Sequence, residues 1–265
     1  MKVIKQHIVL KSNELSIGYF NKKQQHTVAE NINFEIETGT LVCLLGKNGI
    51  GKSTLLRTIS KVQPKLMGEL YIESKTIESI SAHDLSKKMS LVLTERIPES
   101  NLTVYELIAL GRQPYTNWIG TMTHNDEKHI EKAIELVHIE NLRNRKCDEL
   151  SDGQLQKVMI ARSLAQNTKL IILDEPTAHL DIHHKMEVFN LLKTLVNDLQ
   201  KTIIISTHEV QLALQLADEL WLLKDHSFTT GSAEKLIENG DLEQLFSNKY
   251  VKFDVKTKQF IINKP

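Results

Sequence analysis

Residues 46–53 read Gly46-Lys47-Asn48-Gly49-Ile50-Gly51-Lys52-Ser53. Directly before them lies an unbroken apolar run, Leu41-Val42-Cys43-Leu44-Leu45. Directly after them, Thr54-Leu55-Leu56-Arg57-Thr58-Ile59 has the look of an opening helix. A buried strand, a glycine-rich turn and a helix, in that order, form the setting of the G-x-x-x-x-G-K-[ST] pattern, a phosphate-binding loop. The glycines let the backbone curl so that consecutive N–H groups converge on an anion. The helix N-terminus adds partial positive charge at the same spot. Gly46, Lys47, Asn48, Gly49, Ile50, Gly51, Lys52, Ser53 and Thr54 are therefore the expected phosphate cradle. Lys52 would reach the outer phosphates and Ser53 would hold Mg²⁺. The bland alternative, a glycine turn with no ligand, is disfavoured because strand, loop and helix occur in sequence.

Composition sets wide limits. The chain has 265 residues, enough for one large domain or two small ones, with 41% hydrophobic and 25% charged residues, ordinary for a globular protein. Lys+Arg and Asp+Glu are balanced at 33 each, so no global basicity points to nucleic acid. The two cysteines, Cys43 and Cys147, are far apart in sequence and lie in no C-x-x-C, which suggests free thiols in a reducing compartment. Charges and a histidine interrupt the first seven residues, so a secretory signal is not expected there. No apolar run reaches the roughly 18–20 residues that span a bilayer. Any membrane part would have to come from another chain.

Hydrophobic periodicity divides the chain. Residues 8–10, 15–19, 32–36 and 68–72 read as antiparallel strands, and 88–93 as a buried strand. From 103 to about 165 the pattern is helical. Ile130, Ala133, Ile134 and Val137 share one face of a helix for which Thr123 and Asn125 are candidate caps. From 169, strands (169–173, 202–206, 220–223) alternate with helices (183–199, 209–217), which implies a parallel sheet. Val188, Leu192, Leu195, Val196 and Leu199 make the buried stripe of the longer helix. Trp118 and Trp221 are expected to pack.

Leu170-Ile171-Ile172-Leu173-Asp174-Glu175 is an apolar strand ending in two carboxylates. A carboxylate at a strand's C-terminal edge can bind Mg²⁺ held on phosphates, the role expected of Asp174. Glu175 is then placed to orient or deprotonate a water attacking the γ-phosphate. His208 ends the next strand and could contact that phosphate and its water. His179, Asp181, His183 and His184 have spacings that metal ligands can adopt, although a loop role suits 178–181 better.

Leu150-Ser151-Asp152-Gly153-Gln154 resembles the LSGGQ signature of the ATP-binding subunits of ABC transporters. Asp174-Glu175-Pro176-Thr177 resembles their magnesium and catalytic motif. Ala178-His179-Leu180-Asp181 is similar to the loop that crosses their dimer interface, His208 to their switch histidine, and Tyr19 to the aromatic that stacks on adenine. The resemblance implies an α/β fold: a RecA-like P-loop NTPase core with an N-terminal antiparallel β subdomain (1–95 and 164–265) and an α-helical subdomain (96–163). It implies ATP and Mg²⁺ as ligands, with Tyr19, Thr94, Ser151, Gly153, Gln154 and Asp181 joining the phosphate loop at the nucleotide. It also implies a head-to-tail homodimer that sandwiches two ATPs, with Ser53 and Asp174 on the metal and Glu175 and His208 in catalysis. Independently of the family, Ser151 suits a helix cap and Gly153 a close backbone approach. Two positions depart from the family's pattern. Asp152 replaces a glycine, so its side chain should point outward, and Thr94 stands where a glutamine is usual, with Glu95 beside it.

The stretch 101–115, which contains Ala109-Leu110-Gly111-Arg112-Gln113-Pro114-Tyr115, resembles importers of ferric siderophores, haem and cobalamin. Read without that resemblance, it is a helix stopped by Gly111 and Pro114. The resemblance implies a peripheral ATPase on the cytoplasmic face of the bacterial inner membrane. It would work with integral membrane permease subunits and indirectly with an external substrate-binding protein, and not with nucleic acid. An iron chelate is the favoured cargo, with haem or cobalamin as the alternative. A non-transport ATPase of the same superfamily and a non-hydrolysing regulatory module are the rivals. Lys52 and Ser151 stand too close in sequence for the long insertion of coiled-coil repair ATPases, and Glu175 and His208 are both present.

Overall fold

The computed structural model describes residues 7–21, 24–93, 101–247, 249–255 and 257–262. In chain order the elements are β1 (Ile8–Asn21), β2 (Gln24–Glu37), β3 (Leu41–Leu45), α1 (Lys52–Ile59), β4 (Met67–Ile72), β5 (Lys75–Thr76), α2 (Ala82–Ser86), β6 (Met89–Val92), α3 (Val104–Ala109), α4 (His124–Leu136), α5 (Asp152–Ala165), β7 (Leu170–Asp174), α6 (Ile182–Leu199), β8 (Thr202–Ser206), α7 (Val210–Leu216), β9 (Glu219–Lys224), β10 (Ser227–Gly231), α8 (Ala233–Glu238), α9 (Asp241–Phe246), β11 (Val251–Asp254) and β12 (Gln259–Ile262). They fall into two compact units, residues 1–79 with 202–265, and residues 80–201.

In the first unit an antiparallel sheet runs in the order β2-β1-β4-β5. The apolar runs at 8–10 and 15–19 are one strand, and the pairing of β1 with β2 slips between Ser12 and Leu15. Glu14 sits there with φ 47°, its amide donating to Asn33 Oδ1 at 2.9 Å, so the polar side chain of the partner strand satisfies the irregularity. The second sheet of this unit is built around β3, which runs parallel to both β8 and β9, with β10 antiparallel on β9. Every residue of β3 and β8 is buried, as continuous apolar runs in a parallel sheet require. Trp221 on β9 is fully buried, 4.2 Å between ring centroids from Phe34 and 5.3 Å from Phe228. Its indole N–H is satisfied by Glu219 at 2.9 Å.

The second unit holds the parallel pair β6 and β7 with helices α2 to α6. The expected apolar face of α4 is buried at Ile130, Ala133, Ile134 and Val137. Thr123 is its cap, with Asp126 completing a capping box, whereas Asn125 lies inside the helix. On α6 Val188, Leu192, Leu195 and Val196 are buried, joined by Phe189, while Leu199 is only half-buried because the helix ends there. Both cysteines are buried free thiols, and burial pushes the Cys147 thiol up.

Helix α3 ends at Ala109, within the run 109–115. After α3 the chain tightens into a 3₁₀ turn over Leu110–Tyr115 that accommodates Pro114. Gly111 is there for space, since a Cβ would stand 2.3 Å from the Arg162 carbonyl oxygen on α5. Arg112 is 2% exposed. Its Nε and Nη2 reach Asp126 Oδ1 at 2.9 and 2.8 Å, its Nη1 donates to the Ala165 carbonyl at 2.7 Å, and Tyr115 stacks 3.9 Å from the guanidinium.

Trp118 corrects the expectation that both tryptophans pack: it is 94% exposed. Asn117 Oδ1 accepts the amides of Ile119 and Thr121 at 3.1 and 2.9 Å, and Gly120 takes φ 84°. The turn closes on its own hydrogen bonds and leaves the indole outward, beside exposed Ile119 and Met122.

Candidate functional site

The phosphate loop grows from the end of β3. Gly51 has φ 112°, and a Cβ there would lie 2.1 Å from Val28 Cγ1, so both conformation and space demand glycine. Gly49 also has positive φ, at 75°. Helix α1 begins after Gly51 with no side-chain cap and no acidic residue in its first turn. A helix N-terminus of this kind suits an external anion. Lys52 is buried. Its ammonium donates to the carbonyls of Gly46 at 3.2 Å and Lys47 at 3.4 Å and stands 3.1 Å from His208 Nε2. Donation from Lys52 requires the lone pair on Nε2 and the imidazole proton on Nδ1. The phosphate-loop lysine and the histidine at the end of β8, distant in sequence, thus meet within one unit. A γ-phosphate beside the Lys52 ammonium would be within reach of that imidazole.

Tyr19, near the end of β1, is exposed and stacks on its cross-strand partner His26, with centroids 5.4 Å apart and planes 22° apart. His26 escaped the sequence reading. The strand register that pairs it with Tyr19 is its only signal.

The other unit carries motif residues of its own. Strand β7 is buried along its length and delivers Asp174, itself buried, at its last position. Glu175 follows with φ 48°, a left-handed conformation that non-glycine residues seldom adopt and that here turns the chain abruptly at the strand's end. The Glu175 carbonyl accepts the Ala178 amide at 3.1 Å, and Thr177 accepts Leu180 at 3.3 Å, which shapes the loop leading to Asp181. Asp181 caps α6. Its carboxyl is held below the usual range, first by the His184 backbone amide and then by the His184 ring.

Ser151 caps α5 in a reciprocal box. The Gln154 amide donates to Ser151 Oγ at 3.3 Å, and Gln154 Oε1 accepts the Ser151 amide at 3.1 Å. Gln154 therefore has a structural task in addition to its expected place at the nucleotide. Asp152 is exposed in the first turn, where negative charge suits the helix end.

Thr94 and Glu95 lie outside the described residues. The histidines at 179, 183 and 184 do not form a metal site: no group of three or more His, Cys, Asp or Glu that could hold a metal is present among the described residues. The residues expected for Mg²⁺ fit a hard cation that takes oxygen ligands, since Ser53 offers a hydroxyl and Asp174 a buried carboxylate.

A strand–glycine loop–helix, a strand ending in Asp-Glu, and a serine-capped signature helix are the motifs of a nucleotide-binding cassette. Residues 29–178 match the ABC transporter family, and the chain belongs to it. It is 40% identical to an uncharacterized ABC transporter ATP-binding protein of Methanocaldococcus jannaschii, over 91% of this chain and 82% of that one. It is 36% identical to the petrobactin import ATP-binding protein of Bacillus subtilis, over 83% of this chain and 86% of that one. Among solved structures it is similar to a metal-chelate type ABC transporter in an inward-facing conformation, with TM-score 0.79 and 25% identity over 91% of this chain and 89% of that chain. The fold is the mixed α/β P-loop cassette, and the chain is an ABC ATPase that binds ATP.

Proposed function

We propose that this chain is the ATP-hydrolysing subunit that drives import of a ferric siderophore or another iron chelate through a separate membrane permease. The observation that carries the substrate class is the similarity, over most of both chains, to the petrobactin import protein. In this reading residues 1–95 with 164–265 form the catalytic core and 96–163 the helical part. No helix among the described residues is long and apolar enough to cross a membrane. The subunit sits at the cytoplasmic face of the inner membrane, docked on integral permease subunits, while an external binding protein delivers the chelate. The exposed Trp118, Ile119 and Met122 belong to the surface offered to the permease.

The proposed roles follow the motif residues. The loop amides of 46–54 and the Lys52 ammonium hold the phosphates, and Tyr19 stacks on adenine. Ser53 and Asp174 hold Mg²⁺, which when bound neutralises charge on the phosphate oxygens. Thr94 stands at the position where the family contacts the metal or the water. Glu175 orients and deprotonates the attacking water, and His208 senses the γ-phosphate. Ser151, Gly153, Gln154 and Asp181 act across a homodimer interface on the ATP bound by the other subunit, so ATP closes the dimer and hydrolysis lets it reopen.

The test is uptake of labelled ferric siderophore, haem and cobalamin by cells lacking this gene and carrying either the wild-type or the Glu175→Gln protein. Ferric siderophore uptake is expected only with the wild type. Uptake restored for haem or cobalamin alone would replace the cargo. Full siderophore uptake with Glu175→Gln would overturn the catalytic assignment.

A further inference from the structure

Asp181 is 62% exposed, at the end of a loop that the previous reading sends across the dimer interface. An exposed carboxylate on a loop is ordinarily free to rotate, and fixing it costs side-chain entropy. Here a single residue, His184, fixes both oxygens. Its backbone amide donates to Asp181 Oδ1 at 2.9 Å, and its ring Nδ1 lies 2.8 Å from Oδ2. The other edge of the same ring rests on the signature helix. A Cβ built on Gly153 would stand 3.0 Å from His184 Cδ2, 3.3 Å from Cγ and 3.5 Å from Nε2. A side chain there would press the imidazole back by a few tenths of an ångström. One ring therefore spans the first turns of α5 and α6, touching the residue two places after the Ser151 cap and gripping the Asp181 cap. A second tie lies one turn further along both helices, where Lys157 pairs with Glu187 at 2.9 Å and His183 approaches the same carboxylate at 3.5 Å.

We propose that His184 is a positioning residue that locks the Asp181 loop and the Ser151 helix end into one rigid edge, the edge that closes on the ATP of the opposite subunit. This rests on the dimer reading given above. His184 acts through Asp181, by holding its carboxylate in one direction, and through Gly153, by setting how near α5 stands to α6. Removing it leaves the phosphate loop of each protomer intact and loosens what the protomer offers to its partner.

The experiment separates those two effects. In a Glu175→Gln background, ATP-dependent dimerisation is measured by light scattering, and ATP affinity of the protomer by fluorescent-nucleotide titration at protein concentrations below dimerisation. His184→Ala is expected to weaken the dimer at least about tenfold, the scale of losing a charge-assisted hydrogen bond, with protomer affinity and melting temperature unchanged. His184→Asn keeps a side-chain N–H donor for Asp181 and is expected to recover part of the loss. His184→Leu, which fills space without a donor, is expected to recover none. Dimerisation of the Ala or Leu variant at the wild-type level overturns the proposal, as does an equal loss of protomer affinity or thermal stability, which marks a merely structural role. If the Glu175→Gln protein with His184 intact stays monomeric in ATP, the dimer reading itself fails.

Discussion

The pair Arg112–Asp126 offers the sharpest energetic prediction. Both side chains are buried. Asp126 Oδ1 takes two guanidinium donors, while Oδ2 takes the Thr123 amide at 2.8 Å and hydroxyl at 2.7 Å. Asp126→Ala strands the guanidinium without a countercharge, at a cost of about 3–5 kcal/mol. It also removes half of the box that caps α4, worth about 1 kcal/mol more. Against a total stability of about 5–15 kcal/mol, that is a large fraction. Arg112→Met leaves a carboxylate that Thr123 still serves, so it should cost less. The double variant has no buried charge and should be more stable than Asp126→Ala alone, a non-additivity that a double-mutant cycle reads directly. The assay is urea unfolding followed by far-ultraviolet circular dichroism at several pH values. Burial pushes the Asp126 carboxyl up, but the Thr123 hydrogen bonds and the Arg112 guanidinium together hold it below its ordinary 3.8. A depressed carboxyl contributes stability that is fully present above the unfolded value and lost as pH falls through the folded one. The gap between wild type and Asp126→Ala should thus be constant near neutrality and shrink below about pH 4. A gap under about 1 kcal/mol at pH 7, or a double variant as unstable as the summed singles, would refute the reasoning.

Three further outcomes follow from single positions. Gly51→Ala should abolish nucleotide binding in a fluorescent-ATP titration, because φ 112° and the Val28 methyl both exclude a side chain; near-normal affinity would count against the loop geometry. Tyr19→Ala should weaken ATP by about 1–3 kcal/mol, the usual value of an aromatic stacked on a base, and unchanged affinity removes Tyr19 from the adenine site. Trp118→Ala should leave melting temperature and the ATPase rate of the isolated subunit unchanged, since the indole is fully outward, while lowering siderophore uptake in cells; unimpaired uptake would mean that this surface carries no partner.

What could be read from the residues and what could not divide along sequence distance. The phosphate loop was legible because each role in it is local: an apolar strand before, glycines at the curl, a lysine and a serine at fixed offsets. The Ser151 cap was legible from its residue type, and of the two candidates before α4 Thr123 caps the helix while Asn125 does not. His208 could be brought to the phosphate from its place at the end of a neighbouring strand, and the parallel pairing of β3 with β8 is what sets it 3.1 Å from Lys52. Arg112 and Trp118 were not legible. Nothing near Arg112 in sequence announces that its counterion is Asp126 or that its third donor goes to Ala165. Burial by a residue's own periodicity fails for Trp118, which lies in a turn with no period at all.

The run 109–115 shows how a motif can identify a family without performing its chemistry. It suggested an iron-chelate importer, yet Gly111 packs against α5, Arg112 reaches into Asp126 and Tyr115 lies on the guanidinium, while Leu110 and Gln113 are exposed. None of these groups offers chemistry that a chelate could sense. What they do is bind the 3₁₀ turn to the start of α4, because Arg112 lies before the 116–123 loop and Asp126 just after it. One buried ion pair thus clamps both ends of the loop that exposes Trp118. In the proposed importer, discrimination among chelates therefore belongs to the permease and its binding protein. This chain contributes a loop of fixed shape, and Asp126→Ala should impair uptake even at temperatures where the protein remains folded and its isolated ATPase rate is normal. Uptake that stayed normal in that variant would separate the clamp from the partner surface.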